Sequence, residues 1–212
     1  MKNTLIAAFC SLILLLSACG PAVTFKEPQP ADSKNLNEIP RRLRGSYLCQ
    51  SDSSILYISD KLMLQQYEGM EWVHESALDN EYRELGDTVT HIASGRSIHA
   101  ERAGDSLWIP VQWNDTLFSL SFDNVLRKYQ GRFFINTRYD KESWGVYMLE
   151  LTRGTLEVRS ISTENDWKSL KEFTETAQDT VPVAVTATAK QFKEFVGSGG
   201  FSDNEKYIRL RR

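Results

Sequence analysis

Cysteine is scarce in this sequence of 212 residues, which has only Cys10, Cys19 and Cys49. Two of the three lie in the first 19 residues, so a folded part downstream of them holds Cys49 alone and cannot form an internal disulfide. The apolar pair Tyr47-Leu48 comes directly before Cys49 in a strand-like pattern. This context predicts a small buried side chain at Cys49 rather than a nucleophile.

Long hydrophobic runs and basic residues are also limited. The longest apolar stretch, Leu5 to Leu16, is shorter than the roughly 20 residues that a transmembrane helix needs, and no later run approaches that length. Lysine and arginine number 25 against 28 aspartate and glutamate residues, a net charge of −3. A protein without basic excess is a poor candidate for nucleic-acid binding, and we predict no nucleic-acid partner.

The first 19 residues have the pattern of an export leader. Met1-Lys2-Asn3 is positively charged, the apolar run follows, and small residues close it. The end of this stretch, Leu16-Ser17-Ala18-Cys19, matches all four positions of the lipobox and resembles the leader of bacterial lipoproteins. That resemblance implies that Cys19 receives a diacylglycerol, that residues 1–18 are removed, and that the new amine of Cys19 is acylated.

The resemblance also implies a location. Two or three acyl chains on Cys19 give a firm membrane anchor, since each buried methylene contributes about 0.8 kcal/mol. Gly20 rather than aspartate follows Cys19, which by resemblance to lipoprotein sorting permits transfer to the outer membrane, and we expect the protein on its periplasmic side. Removing 18 of 212 residues leaves 194, and removing Lys2 changes the charge balance to 24 − 28, or −4.

The remaining chain divides into three parts. Residues 19–38 contain three prolines among polar residues and show no periodicity, which predicts a disordered tether. Residues 39–125 and 126–212 are rich in short β patterns separated by turns, which indicates antiparallel meanders. We therefore predict a mainly β fold in two halves, forming a barrel or packed sheets, with one or two short helices.

The two halves also look duplicated. The segment starting at Gly45 is echoed by the segment starting at Gly131, and a hairpin pattern follows each. Capping signals for a short helix recur at Ser76 and Thr163. Because several weak matches occur in the same order, we interpret the halves as an internal repeat with drifting loop lengths.

Specific elements follow from local signals. Glu68-Gly69 and Trp113-Asn114-Asp115 predict turns that interrupt the strands around them. The spacing after Ser76 predicts a short helical piece through Tyr82 and Leu85. A clearer helix begins at Thr188, where a capping signal precedes an apolar stripe and three glycines follow. The stripe consists of Phe192, Phe195 and Val196.

A metal site is an alternative that the histidines leave open. His91 and His99 flank the turn at Ser94-Gly95, and they face one side only if the loop has three residues, because a one-residue slip inverts the faces. His74 or Glu101 would then supply a third ligand. Polar residues on a solvated strand face are the commoner explanation, and we predict no metal ligand, catalytic residue or cofactor.

Motifs of nucleophilic catalysis are missing: the sequence has no Gly-x-Ser-x-Gly and no His-Glu-x-x-His. The five tryptophans lie mostly in strand patterns, where core and hairpin packing is their usual use. We therefore expect a non-enzymatic, membrane-anchored envelope lipoprotein that binds a protein partner or an apolar ligand. Two alternatives are a metal-assisted hydrolase that uses His91 and His99, and a purely structural envelope component.

Overall fold

The computed structural model describes residues 21–78, 82–85, 87–92, 95–176 and 182–211. The leader and Cys19 lie outside these residues. The predicted mainly β class is confirmed. The strands are β1 (Val23–Phe25), β2 (Gly45–Cys49), β3 (Ile55–Ile58), β4 (Leu62–His74), β5 (Tyr82–Leu85), β6 (Thr88–His91), β7 (Arg96–His99), β8 (Glu101–Ala103), β9 (Ser106–Ser119), β10 (Asn124–Tyr129), β11 (Arg132–Arg138), β12 (Trp144–Thr152), β13 (Thr155–Ser160), β14 (Glu175–Thr176), β15 (Val183–Thr186) and β16 (Asp203–Arg209).

Two α-helices accompany the strands, α1 (Glu164–Phe173) and α2 (Ala189–Gly197). Both begin with a capping box, at Thr163 and at Thr188, because the hydroxyl of each threonine accepts a backbone N–H three residues later. The predicted apolar stripe of α2 is buried. Among the residues that the structure describes, no helix has the length and apolar character needed to cross a membrane.

Most strands belong to one large sheet. Its strand order is β14-β15-β1-β12-β13-β16-β2-β3-β4-β9-β8. In addition, β11 pairs with β12, and β10 pairs with β11. The described strands of this sheet form no closed barrel, although a short segment links its distant parts. Leu36 bridges to Leu126 in β10, and the backbone N–H of Ile39 donates to Asp60 between β3 and β4.

Each half contributes a four-stranded antiparallel meander. The first is β2-β3-β4-β9 and the second is β11-β12-β13-β16, and in both the chain forms other elements between the third and fourth strands of the meander. Tyr47 and Phe133, each two residues after the glycine that opens its meander, are both buried. The internal repeat itself stays a prediction. The halves meet where β16 pairs with β2.

The core has two large clusters. One lies between the sheet and the helices and contains Phe25, Phe134, Phe192 and Phe201. The other contains Tyr47 together with buried residues from the strands of both meanders. Burying this apolar surface is the main source of stability, at about 25 cal/mol per Å².

The prediction of a disordered tether over residues 19–38 is wrong for its described part. β1 pairs in parallel with β15 and meets β12 at Trp144, and all three of its residues are buried. The chain that follows is also held, because the Arg127 guanidinium donates to the carbonyl groups of Pro28, Pro30 and Ala31. Proline-rich composition predicted a linker, whereas burial and hydrogen bonding of the segment place it in the fold.

Two predicted turns are also wrong. Glu68-Gly69 lies inside β4, and Asn114-Asp115 lies inside β9, so that each forms one continuous strand. These strands pair from Leu62 opposite Ser119 to His74 opposite Ser106, with one irregularity near Met63. The predicted helical piece after Ser76 is a 3-10 turn, Glu75–Ala77, and the chain continues as strand β5.

Candidate functional site

The paired strands β4 and β9 extend beyond the rest of the sheet. β3 pairs with β4 only up to Gln66, and β8 pairs with β9 only from Ser106 to Trp108. Between these limits, the described strands leave the outer edges of β4 and β9 without a neighbour. We call residues 66–74 of β4 and 106–114 of β9 the arm. Strands of this length rise about 3.4 Å per residue, so β9 as a whole spans roughly 40 Å.

One face of the arm carries a stacked aromatic pair. The rings of Tyr67 and Trp113 lie 5.4 Å apart at an angle of 9°. Gly69 makes this stack possible, because a Cβ there would come within 3.1 Å of the Trp113 ring. The Trp113 side chain remains 48% exposed.

The opposite face carries a second aromatic pair. Trp72 and Trp108 lie directly across from each other, with ring centroids 4.9 Å apart. Met70 and Pro110 form the next pair along the arm. Trp72 is 54% exposed and Met70 is also exposed. The arm therefore presents half-exposed aromatic surface on both faces, although tryptophan in such patterns was expected to pack inside.

Hydrogen bonds of the His74 side chain join the two strands at the far end of the arm. The Oγ of Ser76 lies 2.7 Å from Nδ1 of His74, and Nε2 of His74 lies 2.9 Å from the Asp105 carboxylate. The Ser76 backbone N–H donates to Nδ1, so Nδ1 accepts and Nε2 carries the proton. The hydrogen bond from His74 lowers the pKa of Asp105.

Serine, histidine and aspartate thus form a chain that the sequence did not place together. The order matches that of a serine hydrolase, but the three side chains are exposed and neither cleft described below includes them. His74 instead caps the 3-10 turn, and the Glu75 backbone N–H donates to the Asp105 carbonyl oxygen. The group serves as a clamp between the ends of β4 and β9.

The two histidines considered for a metal site lie in the small sheet β5-β6-β7. His91 pairs with Arg96 and His99 pairs with Thr88, so the two histidines occupy register positions three residues apart. The His99 ring lies 3.4 Å from the Asp87 carboxylate. The predicted turn residue Ser94 lies outside the described residues.

A polar cluster surrounds Cys49, whose predicted burial is confirmed. The Cys49 thiol, the Ser51 hydroxyl and the Tyr207 hydroxyl all donate to the Glu205 carboxylate, at 3.2, 2.8 and 2.6 Å. Ligand-type atoms of Cys49, Asp52 and Glu205 lie within 4.8 Å of one another. Burial raises the pKa of the Cys49 thiol, which keeps its proton available for the hydrogen bond to Glu205. The cluster is accounted for as a satisfied hydrogen-bond network.

Two clefts open on the described surface. One, of about 590 Å³, lies beside β13 and β16, and the other, of about 820 Å³, lies beside β15 and the loop between β11 and β12. Both are lined mainly by polar and charged side chains, including Arg159 and Asp203 in the first and Lys26 and Lys141 in the second. Neither resembles the apolar pockets in which proteins enclose hydrophobic ligands.

Comparisons with protein-family models, with curated proteins and with solved structures found no match to this chain.

Proposed function

We propose that this protein is a lipid-anchored component of the bacterial cell envelope that binds a protein partner through the arm. The anchor is acylated Cys19, as the lipobox resemblance implies, and the expected site is the periplasmic side of the outer membrane. The observation that carries the proposal is the presence of two aromatic pairs, the stacked Tyr67 with Trp113 and the tilted Trp72 with Trp108, on opposite faces of the two-stranded arm.

Half-exposed tryptophan and tyrosine favour a protein partner. Aromatic side chains dominate the binding energy of protein interfaces, because they bury large area with few rotatable bonds. Neither aromatic pair lines one of the two clefts described, and most residues that line those clefts are polar or charged. The geometry therefore favours a protein over the apolar ligand that was the other option.

Charge adds detail about the partner. The arm contains Glu68 and Glu71 and no lysine or arginine. Both glutamates are exposed. An acidic, aromatic surface is complementary to an apolar groove with a basic rim, and such charges mainly raise the rate of association. We therefore infer a partner whose docking surface combines these two features.

Site-specific crosslinking in intact cells tests the proposal. A photo-reactive amino acid replaces Trp72 in one strain and Trp113 in another, and Leu48, which is 38% exposed on β2, serves as the matched control. We expect both arm positions to capture the same envelope protein and the control position to capture none of it. Adding Trp108→Ala to the Trp72 probe strain should reduce capture at least about tenfold, the effect of losing an interface aromatic.

Two results would contradict this proposal. If Trp72, Trp113 and Leu48 capture the same mixture of proteins, the arm is not a specific surface. If no position captures a protein while the envelope of a deletion strain is weakened, the purely structural alternative is favoured. Lower capture of the same protein at high salt would support the inferred basic rim.

A further inference from the structure

Pro21, the first described residue, lies at the end of the fold that holds the hairpin between β11 and β12. Pro21 packs over Gly145, where a Cβ on the glycine would meet the proline ring at 3.4 Å. Gly145 is paired with Thr137, close to the hairpin that joins β11 and β12. Cys19 is two residues before Pro21, so its Cα lies within about 8 Å of that of Pro21. A lipid on Cys19 therefore leaves the protein near this hairpin.

Two exposed aromatic side chains lie at the same end. The last pair of β10 and β11 is Asn124 with Thr137. The pairing continues one step further, because the Arg138 backbone N–H donates to Asp123 and its guanidinium also bonds the Asp123 carboxylate at 2.8 Å. The next residues outward are Phe122 and Tyr139. Phe122 is 88% exposed and Tyr139 is 46% exposed.

The positions of these residues can be compared with that of the anchor. Tyr139 is two residues beyond Thr137, or about 7 Å along an extended chain. Thr137 itself lies beside Gly145 and Pro21. These steps together limit the distance from the Cα of Cys19 to roughly 25 Å for that of Tyr139 and roughly 30 Å for that of Phe122. The two rings therefore lie at the end of the fold from which a lipid on Cys19 extends.

We propose that Phe122 and Tyr139 form a membrane-contacting surface that rests in the interface of the anchoring bilayer. This inference depends on the acylation of Cys19 in the proposed function. Aromatic side chains favour the headgroup level, where one part of the ring is apolar and the other is wet. Asp123, the acidic residue between them, is neutralised by Arg138. Lys141, on the same hairpin, is exposed between the exposed Asp140 and Glu142, so the contact is assigned to the two rings and not to attraction by anionic lipids.

The same contact orients the arm. Phe122 is three residues after Ser119, the end of β9, whereas the arm forms the beginning of that strand. With the membrane-contacting surface in the bilayer, the aromatic stacks stand away from it by a distance of up to roughly 40 Å along the strand. The partner-binding arm then points away from the lipid.

Fluorescence quenching of the full-length, cell-derived protein tests the orientation. Phe122→Cys and Tyr139→Cys variants are purified in detergent, labelled with an environment-sensitive fluorophore and reconstituted in phosphatidylethanolamine and phosphatidylglycerol vesicles containing a brominated lipid. Met70→Cys, at 43% exposure on the arm, is the matched control. Cys49 is buried and should not react. We expect the label at 122 and at 139 to lose about half or more of its emission, as interfacial groups do, and the label at 70 to lose none.

The mass of each labelled chain separates the two proposals. A chain acylated on Cys19 whose label at 122 is no more quenched than the label at 70 would overturn the orientation and leave the anchor intact. A chain without lipid on Cys19 would overturn the anchor and the orientation together. Equal emission of the label at 122 in vesicles with and without the brominated lipid would also contradict a lipid contact.

Discussion

The indole ring of Trp113 lies over Gly69 on the neighbouring strand, at a spacing that a side chain on Gly69 would disturb. A Cβ there would stand 3.1 Å from Cζ3 and 3.3 Å from Cη2 of the ring. Contacts of this length require the ring to move. The glycine thus holds open the space that lets Trp113 stack on Tyr67.

Gly69→Val should displace Trp113 from its stack. We expect a changed near-ultraviolet circular dichroism spectrum and a change of about 0.5 kcal/mol or less in the free energy of unfolding, because the half-exposed ring has to shift by only a few tenths of an ångström. Gly197→Ala is the control, because a Cβ at Gly197 meets nothing within 4 Å. Unchanged aromatic dichroism in Gly69→Val would show that the stack does not depend on this glycine.

Phe25→Ala should destabilise the whole fold. Phe25 is fully buried, and its ring packs edge-on against that of Phe192, with the ring centroids 5.6 Å apart. Removing a buried phenylalanine costs about 3–5 kcal/mol, which urea unfolding would measure. Lys26→Ala, at the next and exposed position, should change the free energy of unfolding by about 0.5 kcal/mol or less. Equal, small effects of both changes would restore the disordered tether that the composition predicted.

Tyr207→Phe should weaken the cluster around Glu205 and change its pH dependence. At neutral pH the loss of the hydroxyl donor should cost about 1–3 kcal/mol, measured by urea unfolding. Tyr57→Phe removes an exposed hydroxyl 3.2 Å from Gln66 and should have little effect.

The pH dependence follows from the raised pKa of Tyr207, which results from burial first and from the Glu205 carboxylate second. The unfolded chain loses this proton near pH 10, whereas the folded chain keeps it, so the stabilisation is complete below about pH 10 and declines above it. Phenylalanine has no such proton. The difference in free energy of unfolding between the wild type and Tyr207→Phe should therefore narrow above pH 10, and a constant difference up to pH 11 would contradict this assignment.

His74→Ala should loosen the far end of the arm. The variant loses the cap of the 3-10 turn and the hydrogen bond to Asp105. Amide exchange in residues 73–77 and 104–107 should become faster. The lowered pKa of Asp105 means that the wild-type clamp holds above the ordinary aspartate range and weakens as the pH falls through that lower pKa. His99→Ala, an exposed change in the small sheet, should leave exchange in the arm unaltered.

Cys19→Ala should remove the anchor and leave the fold intact. The wild-type chain should enter the membrane fraction, resist extraction by salt and yield a mature form that begins with acylated Cys19. The variant keeps β1, which starts four residues later, so its thermal midpoint should match that of the wild type. Mass spectrometry that finds a mature chain beginning elsewhere, or carrying no lipid, would falsify the anchor.

Local patterns predicted the meanders and both helices, because their signals lie within a few residues of one another. The capping boxes at Thr163 and Thr188 are of this kind. The continuous strands of the arm were missed because Gly69 and Asn114-Asp115 are turn formers in isolation, and only pairing across 42 or more residues keeps them extended. The candidate site was missed for the same reason, since it depends on which tryptophans the arm leaves uncovered.

One other error, and one question that the sequence left open, have a related origin. β1 finds its partner β15 about 160 residues along the chain, a contact that no local window contains. The facing of His91 and His99 depends on the register between β6 and β7, which the sequence left open between two loop lengths. Patterns within one strand are local, whereas register and strand neighbours are set by the packing of the whole sheet.

The attachment of β1 also determines how the protein bears a pulling force. Val183 donates to Ala22 and Lys26 donates to Val185, so hydrogen bonds hold both ends of this strand to β15. A pulling force between a partner on the arm and a lipid on Cys19 would act along β1. It would load these hydrogen bonds in shear and at the same time. Because only a few residues separate Cys19 from β1, the domain would transmit tension between its two attachments. A long flexible linker would instead extend under the force.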